Sequence, residues 1–177
     1  MIIEEKTLKS ERIYEGKIIN LRVDTVELPD KKYSKREIVE HPGAVSILAL
    51  TENKKIIFVK QFRKPVEEFM LEIPAGKIEN NEEPENCAFR ELREETGYIA
   101  NKMNKVMKFY TTPGFSNELM YLYFAEELQK GIAASDEDEY IDTICLSVDE
   151  AMERIENGEI KDSKTIIAIM VYKNLIK

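Results

Sequence analysis

Apolar and polar residues alternate over much of the first half of the chain, a pattern typical of half-buried β-strands. Segments 21–29 and 33–41 alternate in this way and are separated by the turn sequence PDKK, which predicts a hairpin. A second pair, 45–51 and 55–63, is more continuously apolar and predicts more deeply buried strands. Further strands are predicted over 105–113, 119–128 and 140–148.

A helical pattern with clear boundaries follows these strands. Pro84 suits the first turn of a helix and Gly97 suits the left-handed position that ends one, so a helix is predicted from Pro84 to Thr96. At 100° per residue, its side chains form two stripes. The stripe predicted to pack on a core contains Ala88, Phe89 and Leu92. The stripe predicted to present acidic groups contains Cys87, Glu91, Glu94 and Glu95.

Two more helices are predicted near the end of the sequence. Ser147 and Glu150 have the spacing of a capping box, and Gly158 can close the helix that they begin. Asp162 or Ser163 can cap the last helix, whose apolar positions are broad enough for burial on two sides. Strands and helices together predict one mixed α/β (α+β) domain of ordinary size.

Composition narrows the classes of function. The 177 residues are 43% hydrophobic and carry a net charge of −8, with basic residues scattered along the chain. Nonspecific nucleic-acid binding needs massed positive charge, so nucleic acid is not expected as a partner. No apolar run is long enough to cross a membrane, and the first residues lack a secretion signal, so we expect no membrane association and a cytoplasmic location.

Cysteine and histidine contribute little recognisable chemistry. Cys87 and Cys145 lie far apart in sequence without a zinc-binding spacing, so we expect free thiols that are buried or half-buried. His41 is the only histidine in the sequence, which excludes sites built from several histidines. Its position beside a proline at a strand end favours a structural or substrate-rim role over catalysis.

The most informative pattern is a set of seven residues with the spacing G-x5-E-x7-R-E-x2-E-E-x-G. At a chance of roughly 0.1 for each fixed residue, the set would arise by accident about once in 10⁷ starting points. Its members are Gly76, Glu82, Arg90, Glu91, Glu94, Glu95 and Gly97.

The acidic members of this set are badly placed for stability alone. Glu94 and Glu95 fall in the last turn of the predicted helix, where the helix dipole makes each acid cost about 0.3–1 kcal/mol. Glu91 and Glu95 repel each other by roughly 3 kcal/mol at a separation of about 6 Å and an effective dielectric of 20. A divalent cation would reverse this repulsion, and ligands that are all oxygen suit Mg²⁺, with Mn²⁺ as a substitute. The pattern therefore predicts metal-assisted phosphoryl transfer to water.

The set resembles the Nudix box, G-x5-E-x7-R-E-U-x-E-E-x-G-U, where U is a bulky aliphatic residue. Leu92 fits the first U, whereas Tyr98 departs from the second. The resemblance implies an α/β/α sandwich with a mixed β-sheet, a small N-terminal β subdomain and a loop–helix–loop active site. It also implies hydrolysis of a nucleoside diphosphate linked to another moiety.

The resemblance also implies roles for individual residues. Arg90 would orient the glutamates and take part in catalysis, and Glu82 would sit at the rim of the site. Glu94 would act in catalysis as well as in metal binding. The metal ligands on or near the helix would be Glu91, Glu95, Glu94 and the carbonyl of Ala75.

Pro113, sixteen residues beyond Gly97, resembles the mark of the ADP-ribose pyrophosphatase subgroup. By this resemblance Arg36 and Arg63 would contact the adenosine or phosphate end of the substrate, Pro113 would line its site, and Glu118 would hold a ribose or backbone site. Four other segments also resemble sequences of this subgroup: 36–45, 59–65, 72–79 and 136–140.

The acidic segment that precedes the strand over 140–148 carries two more candidates. Glu137 and Glu139 alternate beside that strand, so both side chains can lean toward the helix glutamates. Either residue could serve as the base or as a metal ligand. The resemblance favours Glu137 as the base and Glu139 as a metal ligand, and the alternative is a loop that is merely acidic.

The predicted organisation is an N-terminal β segment over 1–45, which the resemblance links to homodimer formation, followed by a Nudix hydrolase domain over 46–177. The predicted reaction is metal-dependent hydrolysis of ADP-ribose to AMP and ribose 5-phosphate. One alternative is a Nudix hydrolase of another nucleoside diphosphate derivative, such as a nucleotide sugar or a dinucleoside polyphosphate. Another is a non-catalytic ligand sensor that uses the same fold.

Overall fold

The computed structural model describes residues 4–131 and 140–175. The described residues form ten strands and three helices. In chain order these are β1 (Lys6–Glu15), β2 (Asn20–Glu27), β3 (Tyr33–Glu40), β4 (Ala44–Ala49), β5 (Ile56–Arg63), β6 (Glu68–Glu72), β7 (Ala75–Lys77), α1 (Pro84–Thr96), β8 (Tyr98–Tyr110), β9 (Leu119–Lys130), β10 (Asp142–Leu146), α2 (Val148–Glu156) and α3 (Ser163–Leu175).

The chain divides into two compact units. The N-terminal unit contains residues 1–43 and 110–119, and the larger unit contains 44–109 and 120–177. In the N-terminal unit, β1, β2 and β3 form an antiparallel sheet in which Leu21 pairs with Val39 and Glu27 pairs with Tyr33. The predicted hairpin over 21–41 is therefore confirmed as β2 and β3. The strand β1 was not predicted, because its sequence KTLKSERIYE lacks an alternating apolar pattern and all ten residues are exposed.

The larger unit contains two sheets. One has the strand order β10-β5-β6, and the other has the order β7-β4-β9-β8. The second sheet is mixed, because β4 pairs with β7 in the antiparallel direction and with β9 in the parallel direction. A parallel pair requires a long crossover between its strands, and the segment between β4 and β9 contains α1.

Alternating residues of β4 belong to two different hydrophobic clusters, because successive side chains of a strand point to opposite faces of the sheet. Ile47 belongs to the cluster that includes Ala88 and Leu92 of α1. Leu48 belongs to the cluster that includes Ala168 of α3 and residues of α2. The larger unit therefore has helices on both faces of a mixed sheet, which confirms the predicted α+β class and α/β/α arrangement.

The helix α1 has the predicted ends, because Gly97 adopts a left-handed φ of 71° directly after Thr96. Ala88 and Leu92 are fully buried, and Phe89 packs against the same cluster, as predicted. Cys87 lies on the side of the acidic stripe, as predicted, because its Sγ accepts a hydrogen bond from Nη2 of Arg90 at 3.3 Å, but the residue is also completely buried in the core. A residue at the edge of a helical stripe can be buried or exposed, and the neighbours that pack against it decide which.

Strand predictions in the middle of the chain were incomplete. The short strands β6 and β7 were not predicted, and β8 begins at Tyr98 rather than near residue 105. Tyr98, the departure from the box pattern, packs at the edge of the cluster beneath α1, so an aromatic ring is accommodated there. The capping box of Ser147 and Glu150 is present at the start of α2.

Candidate active site

The glycine at the start of the box is required by a close contact. Gly76 lies in β7, and a Cβ atom built on it would come within 1.9 Å of Cδ of Glu91. Real Cβ atoms do not approach another atom so closely, so any other residue at this position would push the Glu91 side chain aside. The fixed spacing between Gly76 and Glu91 in the box is therefore explained by a direct contact between the backbone of Gly76 and the carboxylate of Glu91.

Arg90 is the centre of an ion-pair network on α1. Its Nε and Nη2 donate to the two carboxylate oxygens of Glu82, at 2.8 and 2.9 Å. Its Nη1 donates to both Glu91, at 2.7 Å, and Glu94, at 3.0 Å. The planar guanidinium suits this use of several donors at once. One cation thereby gathers three predicted site residues around itself.

The electrostatic consequence is clearest at Glu82. The hydrogen bonds from Arg90 lower the pKa of Glu82 to about 2, so this carboxyl stays ionised throughout the neutral range. The same contact with Glu82 raises the pKa of Arg90. Arg90 also donates to the backbone carbonyl of Lys77 at 3.3 Å, which ties the helix to the end of β7.

Glu95 is held by the backbone that precedes Gly76. Its side chain is buried, with the residue 6% exposed, and its Oε2 accepts a hydrogen bond from the N–H of Ala75 at 3.1 Å. A buried carboxylate in the last turn of a helix is disfavoured unless it has partners. The first residue of β7 therefore contributes a backbone donor to a predicted metal ligand.

The donor chemistry of this site fits a hard divalent cation, because the candidate ligands are carboxylate and carbonyl oxygens. The Gly76 backbone also leaves space for the Glu91 carboxylate that a side chain would fill. Within residues 4–131 and 140–175, however, no three acidic, cysteine or histidine side chains converge closely enough to hold a metal ion. In this arrangement Arg90 holds two of the candidate ligands, Glu91 and Glu94.

Arg63, a predicted substrate contact, lies in the larger unit and forms a bidentate pair with Glu72. Its Nε and Nη2 donate to the carboxylate oxygens of Glu72 at 2.8 and 2.9 Å. Burial of Glu72 favours its neutral form, but the hydrogen bonds from Arg63 and the charge of Lys164 outweigh burial and lower the pKa of Glu72 to about 2. Arg63 also lies within electrostatic range of Glu95.

The sequence pattern did not reveal Glu72 and Lys164 as partners. Glu72 stands between the buried residues Leu71 and Ile73, and a charged residue inside an apolar run is the one local signal that something must pair with it. Its partner Lys164 is 92 residues away in sequence, and no local pattern connects the two.

Three other predicted substrate contacts lie in the N-terminal unit. Arg36 is bound to Glu5, with Nε donating at 2.9 Å, and Pro113 is exposed. Glu118 accepts a hydrogen bond from the hydroxyl of Thr111 at 2.5 Å. His41 accepts a hydrogen bond at Nδ1 from the next glycine N–H, which supports the predicted structural role.

Two predicted catalytic or metal-binding residues, Glu137 and Glu139, lie outside the described residues, and their roles stay predictions. Of the two thiols, Cys87 is buried and Cys145 is exposed. The expectation that both are at least half-buried was therefore wrong for Cys145. None of the helices in the described part of the chain has the length and apolar character needed to cross a membrane.

Two family models match this chain. Residues 40–167 match the NUDIX domain, and residues 5–39 match the nucleoside diphosphate sugar hydrolase N-terminal domain. The two matches adjoin each other and together cover most of the sequence.

Curated relatives match over nearly the whole length. An ADP-ribose pyrophosphatase of Bacillus subtilis (strain 168) is 52% identical over 169 residues, which is 94% of this chain and 91% of the relative. A methanol dehydrogenase activator of Bacillus methanolicus is 50% identical over 170 residues, covering 95% and 92%. A crystal structure of an ADP compounds hydrolase superposes with a TM-score of 0.88 at 19% identity, covering 99% of this chain and 96% of that one, and this likeness shows the fold.

Proposed function

Because this chain belongs to the NUDIX family of hydrolases, we propose that it hydrolyses the pyrophosphate bond of ADP-ribose with the help of a divalent metal ion. Water adds to one phosphorus, the bridging P–O bond breaks, and the products are AMP and ribose 5-phosphate. The observation that carries the proposal is the complete glutamate set of the box, in which Arg90 binds Glu82, Glu91 and Glu94, in a chain that is 52% identical to an ADP-ribose pyrophosphatase.

The glutamates of α1 and the backbone at the start of β7 are the proposed metal-binding groups. Glu91, Glu94, Glu95 and the carbonyl of Ala75 would hold the ion, and we propose Mg²⁺, with Mn²⁺ as a substitute. When bound, the ion would neutralise charge on the pyrophosphate and lower the pKa of a water molecule. Because Arg90 holds Glu91 and Glu94 in the described arrangement, metal binding would exchange at least one of those contacts.

The chain's own residues have separate tasks in this proposal. Arg90 keeps Glu91 and Glu94 on one side of the helix, and its bond to Glu82 fixes the guanidinium in place. Glu94, or Glu137 in the segment before β10, would accept the proton of the attacking water, and Glu139 would add a metal ligand. Arg36, Arg63, Pro113 and Glu118 are the proposed substrate contacts.

A second candidate is hydrolysis of another nucleoside diphosphate derivative, such as a nucleotide sugar. The match of residues 5–39 to the N-terminal domain of nucleoside diphosphate sugar hydrolases favours it. This candidate keeps the metal chemistry and changes the groups that are attached to the two phosphates. A non-catalytic sensor is disfavoured, because every glutamate of the box is present.

A substrate panel tests these candidates. The purified protein is incubated with Mg²⁺ and ADP-ribose, a nucleotide sugar or a dinucleoside polyphosphate, and the released phosphomonoesters are measured. We expect the highest kcat/KM for ADP-ribose, with AMP and ribose 5-phosphate in equal amounts. A higher value for a nucleotide sugar would select the second candidate, and no cleavage of any compound would contradict both.

We also propose that the protein forms a homodimer through its N-terminal β segment and acts in the cytoplasm. The support for the dimer is that β1 is exposed along its whole length and carries exposed apolar side chains at Leu8, Ile13 and Tyr14. Light scattering at assay concentration tests this, and a fully active monomer would contradict it. Ile13→Glu should lower the dimer fraction, whereas Lys9→Glu, an exposed change on the same strand, should have a smaller effect.

A further inference from the structure

Four consecutive residues, Glu72 to Ala75, connect β6 to the box, and each forms a hydrogen bond or an ion pair with another element of the larger unit. The carboxylate of Glu72 binds Arg63 and Lys164, and the N–H of Ile73 donates to the hydroxyl of Thr165 at 2.9 Å. The carbonyl of Pro74 accepts from the N–H of Ile47 at 2.8 Å. The N–H of Ala75 donates to the carboxylate of Glu95. The carboxylate of Glu95 therefore accepts a hydrogen bond from a segment that is itself held by β4, β5 and α3.

Two of these contacts come from the first turn of α3. Asp162 organises that turn, because its Oδ2 accepts from the backbone N–H of Thr165 at 3.0 Å and from its hydroxyl at 2.5 Å. Its Oδ1 accepts from Nζ of Lys164 at 3.0 Å. The same Nζ donates to Glu72 at 2.5 Å. We call Asp162, Lys164 and Thr165 the α3 clamp.

The α3 clamp is shielded from solvent, so its contacts are not interchangeable with water. Thr165 is fully buried, and the side chains of Glu72 and Lys164 are 4% and 12% exposed. Removing one partner of a buried, charged hydrogen bond leaves the other without compensation. The segment from Glu72 to Ala75 would then relax toward a new position.

We propose that Lys164 and Thr165 are positioning residues of the active site. They fix the segment that ends at the Ala75 N–H, and through that N–H they fix the carboxylate of Glu95. The proposal deepens the proposed function, since it rests on Glu95 as a metal ligand. Partners that orient a metal ligand from outside change metal affinity or activity by about 10–100-fold when removed, and we expect the lower part of that range.

A matched pair of lysines separates this role from general stability. Lys161 also connects the approach to α3 with β6, through an ion pair with the exposed Glu68. Lys164→Met should weaken binding of Mn²⁺ alone, measured from the EPR signal of free Mn²⁺, by about 10-fold relative to wild type. It should lower kcat with Mg²⁺ by a similar factor and leave KM for ADP-ribose within about twofold. Lys161→Met should leave all three quantities near their wild-type values.

A second pair of variants, both at Thr165, tests the proposal without changing the charge of the protein. Thr165→Val keeps the side-chain volume but leaves the N–H of Ile73 without its acceptor, whereas Thr165→Ser keeps the hydroxyl. We expect Thr165→Val to weaken Mn²⁺ binding and to lower kcat, and Thr165→Ser to restore both. Circular dichroism and urea midpoints establish that each variant is folded at the assay temperature. If Lys164→Met does not fold, the threonine pair decides the matter.

The outcomes separate this proposal from the proposed function. Equal Mn²⁺ affinity in the folded Lys164→Met and Lys161→Met proteins, or in the two threonine variants, would overturn the α3 clamp even if ADP-ribose is cleaved. Weaker Mn²⁺ binding in the clamp variants of a protein that cleaves no ADP-ribose would support the clamp and reject the substrate. A wild-type protein that binds no Mn²⁺ would overturn the clamp's role.

Discussion

Two charged networks of the larger unit, one around Arg90 and one around Glu72, differ in their balance of charge. Around Arg90, one cation faces the three carboxylates of Glu82, Glu91 and Glu94. Around Glu72, one carboxylate faces the two cations of Arg63 and Lys164. The first network has an excess of negative charge and is partly accessible. In the second network Glu72 and Lys164 are shielded from solvent, and Lys164 also pairs with Asp162, so positive and negative charges balance.

The difference indicates separate purposes for the two networks. A cluster with too few cations is improved by a further positive charge, so the Arg90 network is suited to a divalent ion. A buried carboxylate between two cations has its charge fully compensated and gains nothing from another ion. We therefore expect changes near Arg90 to act mainly on catalysis and changes near Glu72 to act on both stability and geometry.

The largest effect should come from Glu95→Gln. An amide oxygen can still accept the N–H of Ala75, so the fold should survive, but the charge that would bind the metal is lost. We expect kcat to fall by about 10³-fold or more, which corresponds to about 4 kcal/mol of transition-state stabilisation. Glu85→Gln, on the exposed first turn of the same helix, is the control. Near-normal turnover in the folded Glu95→Gln protein would contradict the metal assignment.

The ion pairs of Glu72 should make the free energy of unfolding depend on pH. The pKa of Glu72 is lowered from 4.5 to about 2 in the folded protein, so its contribution is fully present above pH 4.5 and is lost as the pH falls toward 2. We expect about 3 kcal/mol of the wild-type free energy of unfolding to be lost over this range. Urea unfolding at several pH values measures it. Glu72→Gln should lack this component, and parallel pH curves for the two proteins would contradict the assignment.

Gly76→Ala tests the acidic network without changing a charge. The added Cβ would overlap the Glu91 carboxylate, which is the flexible end of a side chain and can move away. The fold should therefore survive while the geometry of the site does not, and we expect about a 10²-fold loss of kcat. Gly114→Ala, where nothing lies within 4 Å of the added atom, is the comparison. If Gly76→Ala is as active as Gly114→Ala, the close contact has no role in catalysis.

The smallest effect concerns the two thiols. Burial raises the pKa of the Cys87 thiol, which lies behind the Arg90 network, whereas Cys145 is exposed. A thiol reagent should therefore label one cysteine per chain in the native protein and both after unfolding. Cys145→Ser should abolish the native labelling. Rapid labelling of Cys87 in that variant would show that the base of α1 opens more readily than its packing indicates.

Much of the acidic network could be predicted from the sequence. The ends of α1 follow from Pro84 and Gly97, and helical periodicity places Arg90 and Glu94 within reach of each other. Both features depend only on residues that are close along the chain. The complete burial of Cys87 beneath the acidic stripe did not follow from periodicity, because exposure at the edge of a stripe is decided by the neighbours that pack against it.

The strands that were missed show the same limit. Strand β1 has no alternating pattern, and β6 and β7 are only five and three residues long. Such segments become strands because a neighbouring strand offers hydrogen bonds, and their own side chains carry little signal. The pairing of Glu72 with Lys164 was missed for a related reason. The apolar neighbours of Glu72 indicate that it needs a partner, but nothing in the nearby sequence identifies that partner as Lys164.

The sequence by itself determined the family, the boundaries of α1 and the helix face that carries the carboxylates, because these depend on spacing within a few turns of one helix. Tertiary structure alone decided that Glu91 lies against the backbone of Gly76 and that Lys164 reaches Glu72 across 92 residues. Contacts of that kind form only when the sheet and its two helix layers pack together, because the partners belong to different elements that local sequence preferences do not bring into contact.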